Sequence, residues 1–114
     1  MRMRTIISTA AVAALTTVPL ATQTHAPASA LESQRTWNRL AQCESGQDWD
    51  INTGNGYYGG LQISPRTWAA HRGHWIASRP DKASKAGQIK VAERILNEQG
   101  WGAWPSCSQS TGIA

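Results

Sequence analysis

Between Glu32 and Glu44 the apolar side chains recur at helical intervals: Trp37, Leu40 and Ala41 stand at i, i+3 and i+4, with no Gly or Pro among them. The next position on that stripe is Glu44, so the spacing predicts a carboxylate at the C-terminal end of a helix, on the face turned toward the core. Gly46 is the natural stop. A second helical pattern runs from Ser84, the expected N-cap, to Gln99, with Ile89, Ala92, Ile95 and Leu96 along one face and Gly100 just beyond. Between the two, Gln47 to Gly60 is dense in turn residues and excludes a long helix. There Ile51, Tyr57, Tyr58, Leu61 and Ile63 are expected to form short strands of a small hairpin around Gly54-Asn55-Gly56. Pro65, with Ser64 as N-cap, opens a short helix continued by Thr67, Trp68, Ala69 and Ala70. His71 to Ala83 reads as an irregular surface loop, and WGAWPSC as a turn that returns Cys107 to the first helix.

The first thirty residues stand outside this pattern. A basic MRMR, the apolar run IISTAAVAALTTVPL and the small-x-small site Ala28-Ser29-Ala30 read as a signal peptide cleaved after Ala30. The run is short, and polar residues break it, so it falls short of the ~20 residues that span a bilayer. No cysteine follows it to carry a lipid. One domain, Leu31 to Ala114, is expected to remain, with nine Lys/Arg against seven Asp/Glu. A net charge of +2 without a Lys/Arg cluster excludes a nucleic-acid track. It is compatible with work near an acidic polymer such as a cell wall.

So short a domain has a thin core and needs a staple. Export predicts an oxidising compartment, where the two cysteines, Cys43 and Cys107, are expected to pair. Closing so long a loop contributes about 4 kcal/mol on the chain-entropy argument.

The chemistry concentrates at Glu44. A glutamate on an apolar helix face beside a cleft should hold its proton more tightly than usual, and the helix C-terminus pushes the same way. Those are the requirements of a general acid near neutral pH. On the residues alone, a Glu44 that turns to solvent past an earlier helix end stands as the alternative. Six Trp and two Tyr with no Phe supply flat apolar faces with polar edges, suited to sugar rings. Trp37 and one or both of Trp101 and Trp104 are expected in the core. Asn52, Asn55, Gln62 and Thr67 are neutral groups able to bond hydroxyls and acetamides. His71 and His74 have neither zincin nor finger spacing, and no cofactor fingerprint or nucleophile elbow occurs, so neither metal nor cofactor is expected.

Taken together, AQCESGQDWDINTGNGYYGGLQISPRTW and QIKVAERILNEQGWGAWPSC resemble the transglycosylase-like domain of the resuscitation-promoting factors, secreted cell-wall proteins of actinobacteria. The likeness runs from Trp37 to Cys107. A fainter similarity to soluble lytic transglycosylases rests on Glu44-Ser45 and Gly60-Leu61-Gln62. The resemblance implies a small lysozyme-like α+β domain with one disulfide, acting on the β-1,4 bond between N-acetylmuramic acid and N-acetylglucosamine of peptidoglycan. It implies Glu44 as the catalytic acid, Cys43 and Cys107 as the bridge, and Thr67, Gln62, Tyr57, Trp68 and Gln99 as groove residues. Asp48 and Asp50, the nearby acids, receive no role.

Three positions depart from the family pattern. Gln47 replaces a second glycine after the first helix, HRGHWIASRPD is basic and carries Trp75 where many members have a glycine-rich loop, and Gly87 stands where Gln or Glu would complete a capping box with Ser84. The expected partner is the peptidoglycan glycan strand, with another cell-wall hydrolase as an open second partner and no nucleic acid or membrane. The expected state is a secreted monomer. A wall-fragment-binding or signalling module with little turnover is the alternative from a different class. A membrane-acting cationic peptide is disfavoured because no strongly basic amphipathic face is visible.

Overall fold

Ser33 Oγ accepts a hydrogen bond from Thr36 N at 3.2 Å, and helix α1, Gln34–Ser45, follows from that cap in the computed structural model, which describes residues 31–114. The leader expected over residues 1–30 lies outside the described residues. Trp37, Leu40 and Ala41 are fully buried, as their spacing predicts. Gly46, at φ 68°, closes the helix with its N–H on Gln42 O at 3.0 Å. Gln47 follows it into the left-handed region at φ 61°, its N–H on Ala41 O at 3.1 Å.

Helix α2, Pro65–Ala70, has Pro65 in its first turn and Ser64 as cap, and helix α3, Lys85–Gln99, starts from Ser84, whose Oγ accepts from Gly87 N at 3.0 Å. The capping box is absent, yet the cap itself forms. A side chain at Gly87 would press on Ile76, its Cβ only 3.1 Å from Cγ2. The buried face of α3 is Gln88, Val91, Ala92 and Ile95, with Ile89 and Leu96 only partly buried. It is thus rotated by about one residue from the face the apolar pattern marks.

Three expectations give way. The hairpin reduces to two single antiparallel bridges, Asn52 to Tyr58 and Tyr58 to Ile63, so the described residues are mostly helical and the strand half of an α+β fold is not present as extended strands. Glycines 54, 56 and 59, at φ 84°, 94° and 80°, interrupt the extended backbone every two or three residues. WGAWPSC is more than a turn: after a 3₁₀ turn at Gly100–Ala103, Pro105–Ser110 forms helix α4. Six residues of PSCSQS have too little intrinsic propensity to announce a helix, and packing of Cys107 and Ser108 into the core holds it. Finally, His71 to Ala83 is no simple surface loop. It contains 3₁₀ turns at Gly73–Trp75 and Pro80–Lys82, and His71, Gly73, Pro80 and Ala83 are buried.

The disulfide Cys43–Cys107 joins the last turn of α1 to α4 across a sequence separation of 64, with Cα atoms 5.8 Å apart. Beside it Trp37, Trp101 and Trp104 form a tilted cluster with centroids 5.4 to 6.0 Å apart. The polar edges of two of them are satisfied: Trp37 Nε1 donates to Glu93 Oε2 at 2.7 Å and Trp104 Nε1 to Leu61 O at 2.9 Å.

Candidate functional site

The segment between α1 and α2 has almost no regular structure, so side chains must hold it in place. Gln88, fully buried on α3, supplies most of that hold: its Oε1 accepts from Gly60 N at 2.9 Å, and its Nε2 donates to Trp49 O at 2.7 Å and Ala83 O at 3.0 Å. Neither neighbouring glycine has room for a side chain. A Cβ at Gly59 would lie 2.4 Å from Gln88 Oε1, and one at Gly60 2.4 Å from the Trp49 ring. From the other side, Ser45 Oγ donates to Gly60 O at 2.9 Å while accepting from Asp48 N at 3.1 Å. The segment is therefore pinned to both long helices at one point, two residues before Gln62.

Gln62 sits at φ 51°, a left-handed conformation that costs a non-glycine residue about 1–2 kcal/mol. Such strain persists only where surroundings enforce it, and often at functional sites. Its amide is oriented at both ends: Oε1 accepts from Asn55 Nδ2 at 3.3 Å and Nε2 donates to Gly59 O at 3.2 Å. Around it runs an open groove. One end is walled by Glu44, Pro105 and Ser106, and the other by Thr67, Ile95 and Gln99. Tyr57, Gln62, Ala103 and Trp104 line both parts and make them continuous. Tyr57 is half exposed, whereas Trp104 is almost wholly buried and shows the groove only an edge. Ser64 Oγ accepts from Thr67 N and donates to Thr67 Oγ1 at 3.0 Å, which leaves the Thr67 hydroxyl proton free for a ligand.

Glu44 is half-buried in the last turn of α1, and its carboxylate accepts no hydrogen bond from the described residues. Burial raises its pKa above the ordinary carboxylate value, since the charged form loses solvent without gaining a partner. The helix C-terminus adds to this, because its carbonyls disfavour a negative charge. Among the described residues, no other carboxylate lines the groove. Asp48 and Asp50 are exposed, and Asp48 Oδ1 is occupied in the loop by Asp50 N at 3.1 Å.

Of the residues expected in a groove, Glu44, Tyr57, Gln62, Thr67 and Gln99 come together there. Trp68 does not. It is 1% exposed, packed in the core with its Nε1 donating to Ala77 O at 2.8 Å, because the α2 face that presents Thr67 turns the next residue inward. Gln88 is legible along the chain only as a helix position, and Ser45 only as the neighbour of Glu44; their part in holding the segment between α1 and α2 is not. A glutamine at helical spacing from Val91, Ala92 and Ile95 was the available signal, because a polar side chain on a core stripe must have partners. Among the described residues, no three His, Cys, Asp or Glu side chains gather as a metal site, and no helix is long and apolar enough to cross a membrane.

A family model described as Transglycosylase-like domain matches residues 31–107, and the chain belongs to that family. Its relatives are the resuscitation-promoting factors of actinobacteria. The chain is 56% identical to Resuscitation-promoting factor Rpf1 of Corynebacterium glutamicum over 88 residues, covering 77% of this chain and 46% of that protein. It is 56% identical to Resuscitation-promoting factor Rpf of Micrococcus luteus over 78 residues, covering 68% of this chain and 34% of the relative. With Resuscitation-promoting factor RpfC of Mycobacterium tuberculosis the identity is 53% over 77 residues, 68% of this chain and 53% of the relative. The chain thus spans about half, or less, of the length of these curated relatives.

Proposed function

We propose that this domain is a secreted enzyme that cleaves the β-1,4 bond between N-acetylmuramic acid and N-acetylglucosamine in peptidoglycan, with Glu44 as its general acid. The observation that carries this reading is a lone, half-buried, unpartnered carboxylate on the wall of an open groove that also presents an exposed Tyr and oriented amide and hydroxyl groups. Protonated Glu44 gives its proton to the glycosidic oxygen as the C1–O bond breaks and positive charge develops at C1. Most glycosidases place a second carboxylate about 5 to 9 Å away. With none on this groove among the described residues, the N-acetyl group of the substrate takes the stabilising role. The Glu44 carboxylate, now deprotonated, then accepts a proton from the incoming nucleophile. If that is the sugar's own 6-hydroxyl, a 1,6-anhydro end results, and if it is water, a reducing end.

Tyr57, Gln62, Thr67 and Gln99 bind the strand: Tyr57 by its ring face, Gln62 by an amide held at both ends, Thr67 by its free hydroxyl proton. In the cell the protein acts at the wall in growth or the resuscitation of dormant cells. The test is release of soluble muropeptides from purified peptidoglycan. Glu44→Gln should abolish release with the fold intact, and unchanged release refutes the role of Glu44. Mass spectrometry of the released sugars distinguishes anhydro from hydrolytic ends. Should Glu44→Gln retain both wall binding and the full growth response, the domain is a binding or signalling module.

A further inference from the structure

Beside the groove, on the adjoining side of α2 and α3, a second open pocket is walled by His71, Arg72, Arg94, Asn97 and Glu98. It adjoins the groove at the end of α2, where His71, the residue that caps the helix, lies one turn beyond Thr67. His71 spans the junction, with Nδ1 2.9 Å from Thr67 O and Nε2 2.6 Å from Glu98 Oε1. The pocket carries both signs of charge. Arg94 Nη1 donates to His71 O at 3.0 Å, which leaves its remaining N–H groups available. The Arg72 guanidinium forms no ion pair with the described residues and lies 5.7 Å from the ring centroid of Trp75. The Glu98 side chain is 70% exposed and has one oxygen uncommitted.

Two further features need a reason. Arg72 occupies the left-handed region at φ 62°, where glycine would avoid the backbone cost, so an arginine is retained there against local preference. Trp75 is 72% exposed, yet its turn is firmly held. Ile76 N and Ala77 N both donate to Gly73 O, at 2.8 and 3.0 Å, and Gly73 packs so closely on the Trp68 indole that a Cβ would approach to 2.3 Å. A large apolar ring fixed in solvent beside an unpaired guanidinium marks a contact surface.

We propose that Arg72, Arg94 and Trp75 form an accessory subsite for the peptide that hangs from the glycan strand. The arginines take its carboxylates, Glu98 takes an amine, and Trp75 provides an apolar wall. This rests on the reading that a glycan strand occupies the groove, which places a pendant peptide within reach of an adjoining pocket. The mixed charge favours a zwitterionic peptide over a polyphosphate, since Glu98 repels the latter.

Binding is measured by co-sedimentation in a Glu44→Gln background, which keeps the strands uncut. The probes are purified wall glycan with its stem peptides, the same glycan stripped of peptide by an amidase, and a teichoic-type polyphosphate. Arg72→Gly and Trp75→Ser each change an exposed side chain, and Arg72→Gly also relieves the left-handed backbone, so both should fold. Each should weaken binding to peptide-bearing strands about tenfold, the size of one charge-assisted contact, and leave binding to stripped strands unchanged. Equal losses on both strands, no loss on either, or tighter binding of the polyphosphate than of the peptide-bearing strand would overturn the proposal. Peptide-dependent binding in this background, together with no muropeptide release by the native protein, would support the subsite and sink the catalytic reading.

Discussion

Replacing Gln88 by Leu tests how the groove is built. The substitution keeps a side chain of similar size on the core face of α3 but removes three hydrogen bonds of 2.7 to 3.0 Å, leaving Gly60 N, Trp49 O and Ala83 O without that partner. A buried backbone group deprived of its partner costs about 1–3 kcal/mol, with the lower end applying where water can enter. Trp49 is only partly buried, so its carbonyl recovers some solvation, whereas Gly60 is enclosed. The expected loss is about 3–5 kcal/mol, or roughly 12–40 °C in Tm at the 4–8 °C per kcal/mol typical of domains this small. The assay is thermal unfolding by circular dichroism, run beside muropeptide release at a temperature where the variant remains folded. Release should fall further than the folded fraction does, because Gln62 hangs from the segment that Gln88 holds. A Tm loss under about 5 °C with normal release would refute the claim that this glutamine positions the groove.

Three other outcomes follow from particular residues. Breaking Cys43–Cys107 by Ser substitution should cost about 4 kcal/mol for a loop of this length, and release should fall more than the denaturation curve accounts for, since Cys43 adjoins Glu44; release that merely tracks unfolding removes that coupling. Because burial raises the folded-state pKa of Glu44, its protonated form is the one folding favours, so the destabilisation that Glu44 itself causes is absent below the ordinary carboxylate pKa and sets in as pH rises through the folded value. Glu44→Gln should therefore match the native Tm near pH 3 and exceed it at pH 7, while native release falls on the alkaline side as Glu44 loses its proton; a Tm gap independent of pH contradicts this. Gln47→Gly, at φ 61°, should stabilise by about 0.5–1 kcal/mol, read as a higher urea midpoint with unchanged slope, and a lower midpoint would count against backbone strain there.

Elements whose signals are local could be read directly along the chain. The stripe Trp37, Leu40, Ala41, Glu44 put a carboxylate at the end of a helix on its inward face, and the structure keeps it there, half-buried. Ser64 with Pro65, and Ser84, marked helix starts because a cap depends only on a side chain reaching back to the next turn. Two cysteines left only one intramolecular pairing, and the structure makes it. What depended on distant contacts stayed out of reach. Helix α4 forms because the core receives Cys107 and Ser108, not because PSCSQS prefers a helix. Trp68 went to the core rather than the groove, since one step along a helix turns a side chain by about 100° and adjacent residues serve opposite faces. The apolar pattern on α3 likewise missed the turn of the helix that buries Gln88. A polar residue becomes interior only when backbone from elsewhere, here Gly60, Trp49 and Ala83, arrives to satisfy it. Glu44 was legible early because its burial follows from its own helix, whereas the groove around it exists only once Gln88 and Ser45 have drawn a nearly structureless segment against two helices.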